Sequence, residues 1–247
     1  MNNFKNKIAV ITGGNSGIGY ATARHLKENG ATVIITGRRK EAIEKAVADL
    51  GVTGFVADQS DLKATEKLAA WVKENYGEVD ILFVNAGITT QSTIETASEQ
   101  HFDDIMNINF KGAYFTLSKF IPILRDAASV VFLSSIVATI NHPGSSVYSA
   151  SKAALNSVMK TAALELAPRK IRVNAISPGP TETEIMSKAG IDEATWNTIK
   201  GNLINKIPLN RMGTPADVAS MVAYLSDDAA QFITGSEIIM DGGMVIV

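Results

Sequence analysis

Tyr148 and Lys152 stand four residues apart in the run Tyr148-Ser149-Ala150-Ser151-Lys152. On a helix that interval puts both side chains on one face, with the ammonium within reach of the phenol hydroxyl. At about 5 Å and an effective dielectric of about 20 the charge favours the phenolate by about 3 kcal/mol, bringing the phenol about two pKa units below its reference of about 10. As a phenol the side chain protonates a developing alkoxide, and as a phenolate it removes the proton of an alcohol. Ser135, at the end of the apolar run 130–133, adds a neutral hydroxyl aimed at a carbonyl oxygen, a transition-state donor of the oxyanion-hole kind. A tyrosine packed beneath a snorkelling lysine would show the same spacing. The chemical reading is preferred because the pair follows a strand and a serine pair, in a chain with a glycine-rich loop after its first strand.

That loop is Thr12-Gly13-Gly14-Asn15-Ser16-Gly17-Ile18-Gly19, ahead of a helix-period segment. Glycines let the backbone approach a pyrophosphate, and free N–H groups at the helix start attract its charge. The first interval is wider than in the standard dinucleotide fingerprint, so a plain glycine turn is the competing reading. The second strand ends at Thr36-Gly37-Arg38-Arg39, where an NAD site presents an acid to the ribose 2′-hydroxyl. Two guanidiniums suit a 2′-phosphate instead, and NADP(H) is expected over NAD(H). Alternatively, Arg38 and Arg39 begin a solvated helix with Glu41 and Glu44 as partners. Asp58, with Gln59 beside it, is placed on the adenine amino group or, equally, caps the helix before Leu62. Asn85-Ala86-Gly87 passes close to the adenine-side ribose or is only a tight turn.

These groups need a frame. Short β-branched runs at 8–11, 32–36, 54–56, 81–84, 130–133, 172–176 and 237–240 alternate with helix-period segments and are apolar on both faces. Such strands imply a parallel sheet of about seven strands covered by helices on each side, a doubly wound, Rossmann-like α/β fold over 1–247 as one domain. Ligands then bind beyond the carboxyl ends of the strands, where every candidate above lies. With 46% hydrophobic and 19% charged residues and a formal net charge of -2, the chain lacks the basic excess that nucleic acid requires. The absence of cysteine excludes disulfides, thiolate catalysis and zinc-thiolate sites. The apolar run before Thr12 is too short for a signal peptide or membrane span, so no membrane partner and a cytoplasmic location are expected. His25, His101 and His142 show no metal-ligand spacing, and no metal is expected.

Taken together, the sequence resembles the classical short-chain dehydrogenase/reductase family over nearly its whole length, from Lys5 to about Met244. The resemblance rests on the glycine loop, Asn85-Ala86-Gly87, Asn107-Ile108-Asn109, Ser135, Tyr148 with Lys152, and Ser177-Pro178-Gly179. It implies that Ser135, Tyr148 and Lys152 are catalytic, and that Asn109 holds a water linking Lys152 to a proton relay. It also implies that Lys152 binds the nicotinamide ribose, that Pro178, Gly179, Thr181 and Thr183 lie beside the nicotinamide and its phosphates, and that the backbone of Ile88 and Ile176 lines the cofactor. Gly37-Arg38 looks like the NADP-using pattern, although Asn15 and Ser16 replace a basic residue that many such relatives carry in the loop.

Residues 184–207 interrupt the alternation and place Ile185, Met186, Trp196, Ile199, Leu203 and Ile204 at roughly helical spacing, as a substrate lid or a packed helical hairpin. Ile94, Thr139, Ile140 and His142 are further candidates for substrate contact. The apolar tail Met244-Val245-Ile246-Val247 would be unfavourable if exposed, and the resemblance implies its burial in a homotetramer. The expected activity is NADP-dependent reduction of a ketone or aldehyde. The alternatives are a carrier-linked 3-oxoacyl reductase, for which the stretch 122–128 offers little basic docking surface, and a silent NADPH-binding module.

Overall fold

Seven strands pair in parallel into one sheet of order β3-β2-β1-β4-β5-β6-β7. They are β1 Ile8–Thr12, β2 Thr32–Gly37, β3 Thr53–Val56, β4 Val79–Val84, β5 Leu124–Leu133, β6 Arg172–Pro178 and β7 Glu237–Met240. The helices are α1 Gly17–Glu28, α2 Lys40–Leu50, α3 Leu62–Tyr76, α4 Glu99–Met106, α5 Ala113–Phe120, α6 Ser146–Leu166, α7 Glu193–Ile204 and α8 Pro215–Ser226. This computed structural model describes residues 3–182 and 192–247.

Alternate residues of each central strand enter two different cores, which is why the runs read as apolar on both faces. Val10, Ile34, Leu82 and Val130 pack with Leu68 of α3, Leu117 of α5 and Leu155 of α6. Ile11, Ile35, Phe83 and Val131 pack with Leu26 of α1, Ile43 of α2 and Val222 of α8. Each such side chain contributes about 1.5–3 kcal/mol by leaving water, so slipping a strand by one residue would exchange two well-filled cores. Strand order reverses between β1 and β4, opening a crevice at their carboxyl ends.

The strand boundaries differ from expectation where charge interrupts the apolar pattern. β5 begins six residues before 130, since its exposed Arg125, Asp126 and Ala127 hide the strand, and its register with β4 breaks between Val79 and Ile81. β4 begins at Val79 because Asp80 is buried there, accepting from the Ile8 N–H at 2.9 Å and pairing with Lys7 and Arg125. Of the expected lid, 184–191 lies outside the described residues; 193–204 forms α7, with Trp196, Ile199, Leu203 and Ile204 half-buried. Among the described residues, no helix is long and apolar enough to cross a membrane.

Candidate active site

The glycine loop turns at Gly13 (φ 64°) and Gly17 (φ 55°), both in the left-handed region that glycine tolerates. A Cβ at Gly19 would lie 2.3 Å from the Gly13 carbonyl oxygen and 2.6 Å from Asn85 Nδ2, so this turn of α1 closes only around a bare backbone. Ser16 is the N-cap of α1, but its side chain makes no capping bond. The first N–H groups of α1 are therefore left for an outside acceptor, and Asn15, Ser16, Gly17 and Ile18 around them are partly exposed. A Cβ at Gly37 would meet Asn15 Oδ1 at 2.5 Å, so the loop lies directly against the end of β2. Arg38 and Arg39 follow, exposed and, among the described residues, without an ion pair; Glu44 pairs with Lys40 instead. The reading in which glutamates of α2 hold these arginines is thereby corrected. The uncapped helix start and the bare glycine cradle fit the pyrophosphate of a dinucleotide, and the two guanidiniums beyond β2, without ion pairs among the described residues, are open to further negative charge.

The other walls are held by polar side chains turned inward. Thr12 Oγ1 accepts from the N–H groups of Asn85 and Ala86, both at 3.0 Å, while Asn85 Nδ2 donates to the carbonyls of Thr12 and Gly13. Asn85-Ala86-Gly87 is thus stapled to the end of β1. Gln59 is 7% exposed, and its amide nitrogen donates to the Ala86 and Ile108 carbonyls; its side chain ties two walls together. Asp58 accepts from the backbone N–H and hydroxyl of Ser60, whereas the cap of α3 is Asp61. The alternative reading of Asp58 as that cap is corrected. On the far side, the Gly179 N–H donates to the Met240 carbonyl and Thr181 Oγ1 donates to the Gly179 carbonyl, while Thr183 lies outside the described residues.

At the reacting end, Ser135 caps a 3-10 turn, Ile136–Ala138, after β5, and Tyr148 and Lys152 project from the first two turns of α6. Lys152 is 3% exposed; its Nζ donates to the Leu133 carbonyl at 2.7 Å and lies 5.8 Å over the centroid of the Tyr148 ring. Asn109 sits in a π-helical segment, Asn107–Gly112, between α4 and α5, a distortion common at functional sites. Its carboxamide clamps Ile88 in both directions, accepting from the N–H and donating to the carbonyl, each at 2.8 Å. A Cβ at Gly87 would meet Asn109 Oδ1 at 3.2 Å and Lys152 Nζ at 3.6 Å, so Gly87 lies between the amide and the ammonium.

Burial moves both titrations. It pushes the Tyr148 phenol up, opposed by the hydrogen bond with Ser135 that favours the phenolate. It lowers the Lys152 ammonium to about 8. The expectation of a phenol drawn down by the lysine is therefore overturned: burial dominates both titrations, and the ammonium's bond goes to Leu133 rather than to the phenol. Among the described residues, no cluster of histidines and carboxylates is arranged to hold a metal.

Two contributors carried no role in the sequence reading. Ser151 is fully buried, donates to the Tyr148 carbonyl at 2.7 Å and accepts from Asn109 Nδ2 at 3.3 Å, linking the π-helical segment to α6. A small polar residue inside an otherwise packed helix, three after the tyrosine, was the available signal. Thr12 was visible only as part of the glycine loop, because its acceptor role depends on β4 lying beside β1.

A family model described as enoyl-(acyl carrier protein) reductase matches residues 13–245. The chain is 36% identical to the 3-oxoacyl-[acyl-carrier-protein] reductase FabG of Thermotoga maritima, over 97% of this chain and 98% of that protein. It is 35% identical to the human dehydrogenase/reductase SDR family member 4, over 96% of this chain and 87% of that protein. The chain belongs to the short-chain dehydrogenase/reductase family. A solved short-chain dehydrogenase/reductase from Brucella melitensis, titled glucose/ribitol dehydrogenase, superposes with a TM-score of 0.93 at 32% identity, covering 98% of both chains. This short-chain dehydrogenase/reductase is accordingly an oxidoreductase that works with a nicotinamide cofactor on carbonyl and alcohol groups, and its uncapped α1 and glycine cradle are where such a cofactor fits.

Proposed function

We propose that the protein reduces a ketone or aldehyde to the alcohol, reversibly, with NADP(H) preferred over NAD(H). The observation that carries the reaction is the convergence of Ser135, Tyr148 and Lys152 at the carboxyl ends of β5 and β6, with Asn109 beside them. The nicotinamide, when bound, supplies or accepts the hydride. Tyr148 gives its proton to the alkoxide oxygen, and burial keeps the phenol protonated until that charge develops. Ser135 donates to the same oxygen. Lys152, charged below about pH 8, stabilises the phenolate left behind, and Asn109 keeps the Ile88 wall closed against it.

The cofactor preference rests on the free Arg38 and Arg39 beyond β2. Gly13, Asn15, Ser16, Gly17, Ile18 and Gly19 would hold the pyrophosphate side, with Asn85, Ala86, Gly87, Pro178, Gly179, Thr181 and Thr183 along the rest. Asp58 and the backbone at Gln59 border the adenine end. The chain acts as one catalytic domain in the cytoplasm, with α7 as part of a lid, and assembles as a homotetramer that covers the exposed Ile246 and Val247.

The names of several relatives favour a second reading, reduction of 3-oxoacyl groups on a carrier protein. Against it, Arg125 is already paired with Asp80 and Glu78, and Asp126 with Arg169, leaving no free cation between 122 and 128 for an acidic carrier. The test is oxidation of NADPH and NADH at saturating cofactor with aryl ketones, aliphatic ketones, sugars and 3-oxoacyl thioesters, free and carrier-bound. NADPH-dependent turnover that disappears in Tyr148→Phe is the expected result. Tight NADPH binding without turnover of any substrate would instead make the chain a binding module, and turnover confined to the carrier-bound thioester would select the second reading.

A further inference from the structure

A cleft of about 670 Å³ opens beside the turn that follows Ser135. One wall is Ile140, whose N–H closes the turn that begins at Ser135 by donating to the Ile136 carbonyl. The opposite wall is the chain end. Asp241 packs against Gly179, where a Cβ would come within 2.8 Å of it, and its carboxylate accepts from the N–H groups of Gly243 and Val245 at 2.9 and 2.7 Å. Those bonds wind the tail into a 3-10 turn, Met244–Ile246. Gly242 and Gly243, both with positive φ, let it lie on Ile207 and Pro208, which a Cβ at either glycine would strike at 2.5 and 3.1 Å. The tail that reads in sequence as a bare apolar end is thus partly a built wall, with Met244 and Val245 half-buried and facing the cleft.

The lining is divided in character. Ile140, Pro208, Met244 and Val245 make an apolar channel, whereas Asn141, Asn205 and Asn210 offer amides and Lys206 an exposed ammonium without an ion pair among the described residues. His142, Ile207 and Val247 complete the lining, and no aspartate or glutamate side chain contributes to it among the described residues. We infer that this cleft is a subsite for the substrate's far end, and that it takes a ketone whose apolar chain terminates in an anion, held by Lys206. The inference rests on the carbonyl-reductase reading for what occupies the near end.

The matched probes are 6-oxoheptanoate and heptan-2-one, titrated by calorimetry into the enzyme saturated with the oxidised cofactor, NADP+, with which neither ketone can be reduced. The keto acid is expected to bind about tenfold more tightly, the worth of one charged hydrogen bond, with the advantage shrinking as salt is raised. Lys206→Gln should abolish the advantage without changing the affinity for heptan-2-one, and Lys206→Arg should keep it. Equal affinity for the two probes, binding of neither, or an advantage that survives Lys206→Gln would overturn the assignment. Turnover of the same probes separates the two ideas: a keto-acid advantage without reduction of either compound sinks the reductase reading alone, whereas reduction of heptan-2-one without any advantage sinks the subsite alone.

Discussion

Lys152 lies beneath Tyr148, its Nζ 5.8 Å from the ring centroid, yet its hydrogen bond goes 2.7 Å to the Leu133 carbonyl at the end of β5. The strand, not the tyrosine, fixes the ammonium, and the phenol is placed over a charge whose position is already set. The proton chemistry then depends on the state of the lysine as well as of the tyrosine.

On the mechanism proposed above, reduction requires a proton on Tyr148 and a charge on Lys152. Burial raises the first titration and brings the second to about 8. The kcat/KM for carbonyl reduction should therefore be level from pH 6 to about 7.5 and fall as Lys152 deprotonates above about 8. A profile that stays level to pH 10 would show that the charge is not required.

The same lysine sets a stability difference. Its folded value lies below its unfolded one, so between about 8 and 10.5 the unfolded chain holds a proton that the folded chain does not, and stability rises with pH across that window. Below the window the buried charge costs roughly 3 kcal/mol. Lys152→Met should be more stable than the parent protein at pH 7, with the difference shrinking toward pH 10. Urea unfolding at pH 7 and 9.5 measures it, and a gap that does not narrow refutes the account.

Asn109→Ala would remove both partners of the half-buried Ile88 backbone, its N–H and its carbonyl, at about 1–3 kcal/mol in all. Ser151→Ala removes two bonds, to the Tyr148 carbonyl and from the Asn109 amide, but that carbonyl keeps its place in α6 and the amide keeps its bond to Ile88, so neither is left unpaired and the variant should cost about 1–2 kcal/mol in unfolding free energy, less than Asn109→Ala. Chemical denaturation of the two variants checks the order; a Ser151→Ala loss as large as that of Asn109→Ala would contradict it.

Arg38→Ala should weaken NADPH by about 10–100-fold, the range of one charge-assisted hydrogen bond of about 1.5–3 kcal/mol, and leave NADH within a few-fold. Fluorescence titration of the two reduced cofactors gives the ratio directly. Parallel losses for both would mean that Arg38 does not read the 2′-phosphate.

Gly19→Ala must push its methyl into the Gly13 carbonyl and the Asn85 amide, at 2.3 and 2.6 Å, so the turn has to open. Loss of most cofactor affinity in a protein that still shows its full helical circular dichroism is the expected outcome. Wild-type affinity would mean that the cradle is not the phosphate site.

The local chemistry was legible in the residues themselves. A tyrosine and a lysine four apart on a helix, a glycine run after a strand, and arginines where an acid would select NAD each carry meaning through backbone geometry and charge that hold within a few residues. The apolar runs likewise announced a parallel sheet, because burial on both faces leaves no polar alternation. Where a charge is accommodated by a distant partner, as Asp80 is by Ile8, Lys7 and Arg125, the pattern broke and the strand boundary was misplaced. Long-range placement decided the rest: that Thr12 staples β4 to β1, that Asn109 and Ser151 meet across two helices, and that a carboxylate at Asp241 winds the tail into a cleft wall. The sign of the Tyr148 shift belongs to this second group. A charge four residues away can be counted from sequence, but the desolvation that raises the phenol exists only once the sheet and α6 have closed around the pair.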